Sequence, residues 1–336
     1  VWQSNIGGSV KKDPLRLQIA RANDLTIAAS RAGRVEAWDG NGKSQWQRQF
    51  KKDQITSGVA AADGLAVVTT RAGQVLALDS QTGESRWTGQ TTASVLAPAL
   101  IAQERVIVAA NDSSISGFDQ ASGKKIWSFD IPVPALSVRG VAAPVLFDDR
   151  IVIIAGATGR IYGLDLRTGV PQWERRVAVS AGRTDVQRLI DIDGDPLLSG
   201  RQLYVVSYQG QLVAVDLDSQ RVRWDADTSS LRGAATGLGN VYVATSDGSL
   251  QAYDEQDGSL LWEQKDLAYR QLSNPVVLGR WLVVGDLDGY LHVIEQTEGK
   301  IVGRVRTSGA IRTLRVVDDQ LLVNSVTGAL SIWQIS

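Results

Sequence analysis

Short runs of β-branched and aliphatic residues recur along the chain: Leu25–Ser30, Leu65–Thr70, Arg105–Ala110, Ile151–Gly156, Leu203–Ser207, Val241–Thr245, Trp281–Gly285 and Leu321–Ser325. Turn signals such as Asn-Asp, Asp-Gly, Gly-Asn or Asp-Asp bound them, so each reads as a β-strand. A second strand follows every run, in most copies opening on glycine and closing on an acid. Its pattern, Gly-x-Val/Leu-x-Ala-φ-Asp with φ apolar, is clearest in Gly33-Arg-Val-Glu-Ala-Trp-Asp39 and Gly73-Gln-Val-Leu-Ala-Leu-Asp79. Weaker from Ser113 to Asp119, it returns from Gly159 to Asp165, Gly210 to Asp216, Gly248 to Asp254, Gly289 to Glu295 and Gly328 to Gln334. A glycine then stands four residues beyond the acid, at Gly83, Gly123, Gly169, Gly258 and Gly299; in the first copy, at Gly42, it stands three beyond. A further strand carries a tryptophan: Trp46, Trp87, Trp127, Trp173, Trp224 and Trp262, with Gly303 in that place in the seventh copy. Upstream of each pair lies a shorter strand, often opened by proline (Pro98, Pro144, Pro196, Pro275), which suits the first residue of an innermost strand.

Eight copies of four strands, at a period of about 40 residues, predict an all-β, eight-bladed propeller of four-stranded antiparallel blades, one domain spanning residues 1–336. The eighth copy stops after its third strand, and Val1-Trp2-Gln3 has the character of the missing fourth. Residues 1–5 are therefore expected to complete the last blade, residues 312–336, because an open ring would leave unpaired edges and bare apolar faces. Seven of the ten tryptophans then have a structural post between blades. Buried there, each contributes roughly 4–6 kcal/mol as an upper bound.

Successive copies begin 40, 40, 46, 51, 38, 41 and 39 residues apart. The two long intervals place extra residues at 130–141 and 176–195, between a tryptophan strand and the next blade's first strand. Connections of this kind leave one face of the disc, and these two flank the fourth blade, so they are expected to be neighbours. Leu136, Val138 and Ile190 are apolar within otherwise loop-like segments, while Arg139 and Arg188 accompany Asp191 and Asp193. Apolar anchors with charged neighbours make a protein-binding patch; the alternative is that the loops pack on the disc and their charges pair with each other.

Charge and composition narrow the chemistry. The chain has 35 basic and 36 acidic residues and a formal net charge of −1, which argues against nucleic acid as a partner. Without cysteine there is no disulfide or CxxC site, and a single histidine, His292, excludes most zinc sites. His292 reads as an ordinary strand residue with no nucleophile tied to it by spacing. Asp191-Ile-Asp-Gly-Asp195 resembles the start of a calcium loop, but Pro196 and Gln202 stand where such a loop needs glycine and glutamate. No GxGxxG or GxxxxGK[ST] motif occurs. Neither a catalytic residue, a cofactor nor a metal is expected. No apolar run approaches the length of a membrane-spanning helix, and Val1-Trp2 reads as the middle of a repeat in a trimmed, mature chain.

The Ala-φ-Asp-x-x-x-Gly-x-x-x-Trp signature resembles the repeats of quinoprotein dehydrogenases, which are also eight-bladed; that resemblance implies a calcium and pyrroloquinoline quinone site in the channel. The chain's lack of cysteine departs from that family's usual vicinal disulfide. More of the chain resembles the BamB family of outer-membrane protein assembly factors. The likeness rests on Leu136-Ser-Val-Arg-Gly140 with Ala143-Pro144, and on Thr184-Asp-Val-Gln-Arg-Leu-Ile-Asp-Ile-Asp193 with Pro196. It also includes Arg31-Ala-Gly33, Val284-Gly-Asp286 and Asp288-Gly-Tyr-Leu-His292. The resemblance implies a non-catalytic scaffold of the β-barrel assembly (BAM) complex, at the periplasmic face of the outer membrane, held by an N-terminal lipid anchor whose cysteine this sequence lacks. It implies binding to the POTRA domains of BamA through Leu136, Val138, Arg139, Asp191 and Asp193, with unfolded barrel precursors as a further partner class added at exposed strand edges.

Overall fold

The computed structural model describes residues 2–7, 17–50, 54–132, 142–156, 159–177, 194–207 and 210–334. Every regular element among them is a β-strand, and the strands form eight four-stranded antiparallel sheets. Blade two shows the plan. Its inner strand is Ala60–Ala62, followed outward by Leu65–Thr69, Gln74–Asp79 and Ser85–Gln90. The second strand is buried along its whole length because both faces are covered by neighbouring blades. The outer strand is mostly exposed, with Trp87 buried. Trp2–Asn5 pairs antiparallel with Ala329–Trp333, so the N-terminal strand supplies the outer strand of blade eight and closes the eight-bladed ring.

The repeat residues now have physical roles. Within a blade the tryptophan sits opposite a small residue: Trp46 faces Ala37, Trp87 Ala77, Trp127 Gly117, Trp173 Gly163, Trp224 Ala214 and Trp262 Ala252. Its ring then reaches the next blade. Trp46 Nε1 donates to the Ser80 carbonyl at 3.0 Å, and Trp87, Trp127, Trp224 and Trp262 make the equivalent bond to Gln120, Leu166, Glu255 and Gln296. The glycine four residues past the acid is what admits the indole: at Gly83, φ is +68°, and a Cβ there would lie 2.5 Å from Trp46. The acid organises the same turn, since Asp79 Oδ1 accepts the N–H groups of Gln81 and Thr82 at 2.9 and 2.8 Å. Asp79 is held down to about 2, chiefly by its hydrogen bond from Arg86, against the opposing effect of burial.

Gly303 in the seventh copy has a topological reason. The third and outer strands of blade eight come from opposite ends of the chain, so no hairpin turn joins them to receive an indole from blade seven. Opposite Gly303 stands Val293, where the pinned blades carry alanine or glycine. Trp2 does pin the closing joint: the turn of blade one receives it at Gly42, where a Cβ would lie 2.9 Å from its ring.

Candidate protein-docking face

Two kinds of loop share one face of the disc: the connections from outer strand to next inner strand, and the turns between second and third strands. They are bonded into a platform. Arg71 N donates to Gln54 O, Asn111 N to Ser94 O, Ser246 N to Ser229 O, Leu287 N to Arg270 O and Val326 N to Ala310 O, each turn meeting the connection that leads into its own blade. The first glycine of the repeat makes room for the connection that leaves the blade. A Cβ at Gly73 would lie 2.7 Å from Ala93 O, and one at Gly248 would lie 2.7 Å from Tyr269 N.

Leu136, Val138, Arg139, Asp191 and Asp193, with Arg188 and Ile190, lie outside the described residues, as do most of the two inter-blade segments. What is described is where those segments start and stop. The first leaves blade three through Ile131, whose buried side chain packs in the core and whose N–H donates to Ser113 O at 3.1 Å. The second leaves blade four through buried Val177, bonded to Gly159 O at 2.8 Å. Their far ends meet: the Ala143 N–H, just past the first segment, donates to Asp195 Oδ1 at 3.2 Å, and Asp195 ends the second. The other oxygen of Asp195 accepts from Gln18 Nε2 at 3.0 Å. Gln18 leads into blade one and Asp195 into blade five, which are opposite members of an eight-membered ring, so this bond spans the mouth of the channel. Pro144 and Pro196 follow directly and begin the inner strands Val145–Phe147 and Leu197–Ser199.

A charged cluster anchors the same face at blade seven. Asp286 is fully buried and its carboxylate is fully used: Arg270 Nη1 at 2.8 Å and His292 Nε2 at 2.9 Å on one oxygen, the N–H groups of Tyr290 and Asp288 at 2.8 and 3.0 Å on the other. Burial pushes this carboxyl up, but those bonds prevail and hold its pKa below the ordinary value. His292, expected as an ordinary strand residue, is thus a buried partner of Asp286. Arg270 also reaches Asp288 at 3.2 Å, which fixes the connection between blades six and seven. Within that connection Tyr269 holds a backbone φ of +65° and exposes 87% of its surface.

Sequence reading missed Asp195 as the link between the segments, having treated it as the end of a failed calcium motif. It also missed Tyr269, which carries no motif; its only local signal is an aromatic residue in a loop of ordinary length. Among the described residues no group of three or more His, Cys, Asp or Glu is placed to hold a metal ion.

Comparison with known proteins supplies the family. The family profile for outer membrane protein assembly factor BamB matches residues 31–264 and 246–336. The BamB protein of Pseudomonas aeruginosa is 44% identical over 174 residues, covering 52% of this chain and 46% of that protein. The BamB protein of Yersinia pestis is 28% identical over 343 residues, covering 98% of this chain and 87% of that protein. This chain therefore spans less than half of one curated relative in alignment and most of another. The crystal structure of BamB from Moraxella catarrhalis superposes with a TM-score of 0.92 at 39% identity, over 100% of this chain and 99% of that one. A europium-containing methanol dehydrogenase shares the fold alone, at 13% identity and a TM-score of 0.76 over 96% of this chain and 84% of that one. A profile match across nearly the whole ring, together with that superposition, shows that the chain belongs to the BamB family of outer membrane protein assembly factors.

Proposed function

We propose that this chain is a non-catalytic scaffold of the outer-membrane β-barrel assembly complex, docking on the POTRA domains of BamA through the segments 130–141 and 176–195. Leu136 and Val138 serve as apolar anchors; Arg139, Asp191 and Asp193 set orientation through charge-assisted bonds. The observation that carries this reading is the bond from Ala143 N–H to Asp195, which ties the ends of the two segments to each other. Family membership supports the location, the periplasmic face of the outer membrane, with a lipid anchor as the tether.

Arg139→Glu, or Asp191→Lys with Asp193→Lys, is expected to abolish capture of BamA while circular dichroism and melting temperature stay unchanged. Capture that survives both changes puts the docking face elsewhere. Addition of pyrroloquinoline quinone and calcium tests the non-catalytic part: a stoichiometric chromophore with dye reduction overturns it.

A further inference from the structure

The described part of the docking face carries its own apolar centre, on blades six and seven. Tyr269 is 87% exposed, more than any other large apolar or aromatic side chain among the described residues, and Leu287 beside it is 39% exposed. Their backbones are tied together through Arg270, whose carbonyl accepts the Leu287 N–H at 3.0 Å. Nothing about this loop is loose. Tyr269 N donates to Asp247 O at 2.9 Å, Ala268 N to Lys265 O at 3.0 Å, and Arg270 is clamped by Asp286 and Asp288. An aromatic residue held at φ +65°, with its ring in solvent, is a strained arrangement that folding alone does not reward.

Contacts link the patch to the described end of the second inter-blade segment. Gly194, beside Asp195, packs so closely on the Arg232 carbonyl that a Cβ there would lie 2.6 Å from it, and Arg232 Nε donates to Leu272 O at 3.1 Å. That chain of contacts runs from the second segment, through the connection into blade six, to the connection that carries Tyr269. Charge indicates what it receives. Asp247, Asp266 and Asp288 are all exposed on this connection and the two turns it meets, whereas Lys265 is paired with Glu263 and the single Arg270 is shared by Asp286 and Asp288. An acidic rim around an apolar centre suits a folded protein surface with basic residues around an apolar pocket, and repels an anionic lipid surface.

We infer that Tyr269, flanked by Leu287, is a further anchor of the docking face, seated in a basic-rimmed apolar pocket of the same partner that the two inter-blade segments hold. This rests on the docking reading given above. Arg270, Asp286 and His292 are positioning residues beneath it.

Binding of the full chain to the soluble POTRA region of BamA, measured by biolayer interferometry, tests this. Tyr269→Gly is the decisive variant, because glycine removes the ring and also relieves the backbone. It is expected to weaken binding about ten- to a hundredfold while the melting temperature holds or rises. Tyr269→Phe should bind like the parent, and so should Leu238→Ser, which alters an exposed residue on the opposite face. Parental affinity in Tyr269→Gly, with binding lost in Arg139→Glu, overturns the anchor and leaves the docking reading standing. Loss in Tyr269→Gly with Arg139→Glu silent overturns the shared face. No binding by the parent chain overturns both.

Discussion

The joint between blades three and four and the joint between blades four and five are built from the same repeat, yet they are closed differently. At the first, Trp127 is 8% exposed, donates to Leu166 O at 3.1 Å and packs on Gly169, where a Cβ would lie 2.4 Å from its ring. At the second, Gln220 occupies the glycine position with φ +56°, Trp173 is half-buried, and among the described residues its Nε1 makes no hydrogen bond. Arg175 partly compensates by bonding the Gln220 carbonyl and side chain at 3.2 and 2.9 Å. A side chain at the turn keeps the indole from lying down, so the joint is clipped from its rim. The longest inter-blade segment, 176–195, leaves from this joint. A tryptophan of the repeat lies against the next blade's turn only where that turn offers a glycine to receive it.

The largest expected effect separates the two joints directly. Trp127→Ala should destabilise the protein by about 3–5 kcal/mol, as for other buried aromatic truncations, and Trp173→Ala by less, about 2–3 kcal/mol, because its ring is more exposed and has no Nε1 hydrogen bond to lose among the described residues. Urea unfolding monitored by circular dichroism gives both, and equal losses would break the distinction. Next in size, Gly83→Ala tests the receiving side: a left-handed backbone and a methyl group pressed on Trp46 should together cost about 2–3 kcal/mol. Gln220→Ala should cost less, about 0.5–1 kcal/mol, since that backbone is already tolerated there and only the Arg175 bond to the Gln220 side chain is lost.

The smallest effect is electrostatic. Asp79 has its pKa lowered from 3.8 to about 2, so its contribution is fully present above about pH 4 and is lost as pH falls through about 2. Asp79→Asn should therefore cost less than about 1 kcal/mol at pH 7, as expected for an ion pair near the surface. In melting experiments, the gap between the two proteins should close over that acid window. A gap that stays constant down to pH 2 would show that the turn, and not the Arg86 pair, is what the aspartate supports.

Much of this was legible in the residues themselves. The Gly-x-Val-x-Ala-φ-Asp strand announces its neighbours because each letter answers a short-range need. Alanine or glycine lies under the tryptophan of the adjacent strand, the aspartate caps the following turn, and the first glycine admits a loop. Trp2 was recognisable as the missing pin of blade eight for the same reason. The proposed docking face was less legible. Spacing located the two inter-blade segments; their composition pointed to Leu136, Val138, Ile190, Arg139, Arg188, Asp191 and Asp193, and the family resemblance narrowed these to Leu136, Val138, Arg139, Asp191 and Asp193. The residues Asp195 and Tyr269 gave no comparable signal, because neither belongs to a repeat position.

By itself, then, the chain's pattern determined the number of blades and their strand order, since these depend on contacts within some 40 residues that recur eight times; it also indicated how the ring closes, because the last copy lacks one strand and the first residues supply one. Tertiary structure alone decided that Asp195 reaches Gln18 across 177 positions, that Gly303 has no turn to pin against, and that Tyr269 stands in solvent above a buried aspartate. Each of these depends on which distant segments the closed ring brings within a few ångströms, and no local pattern encodes that distance.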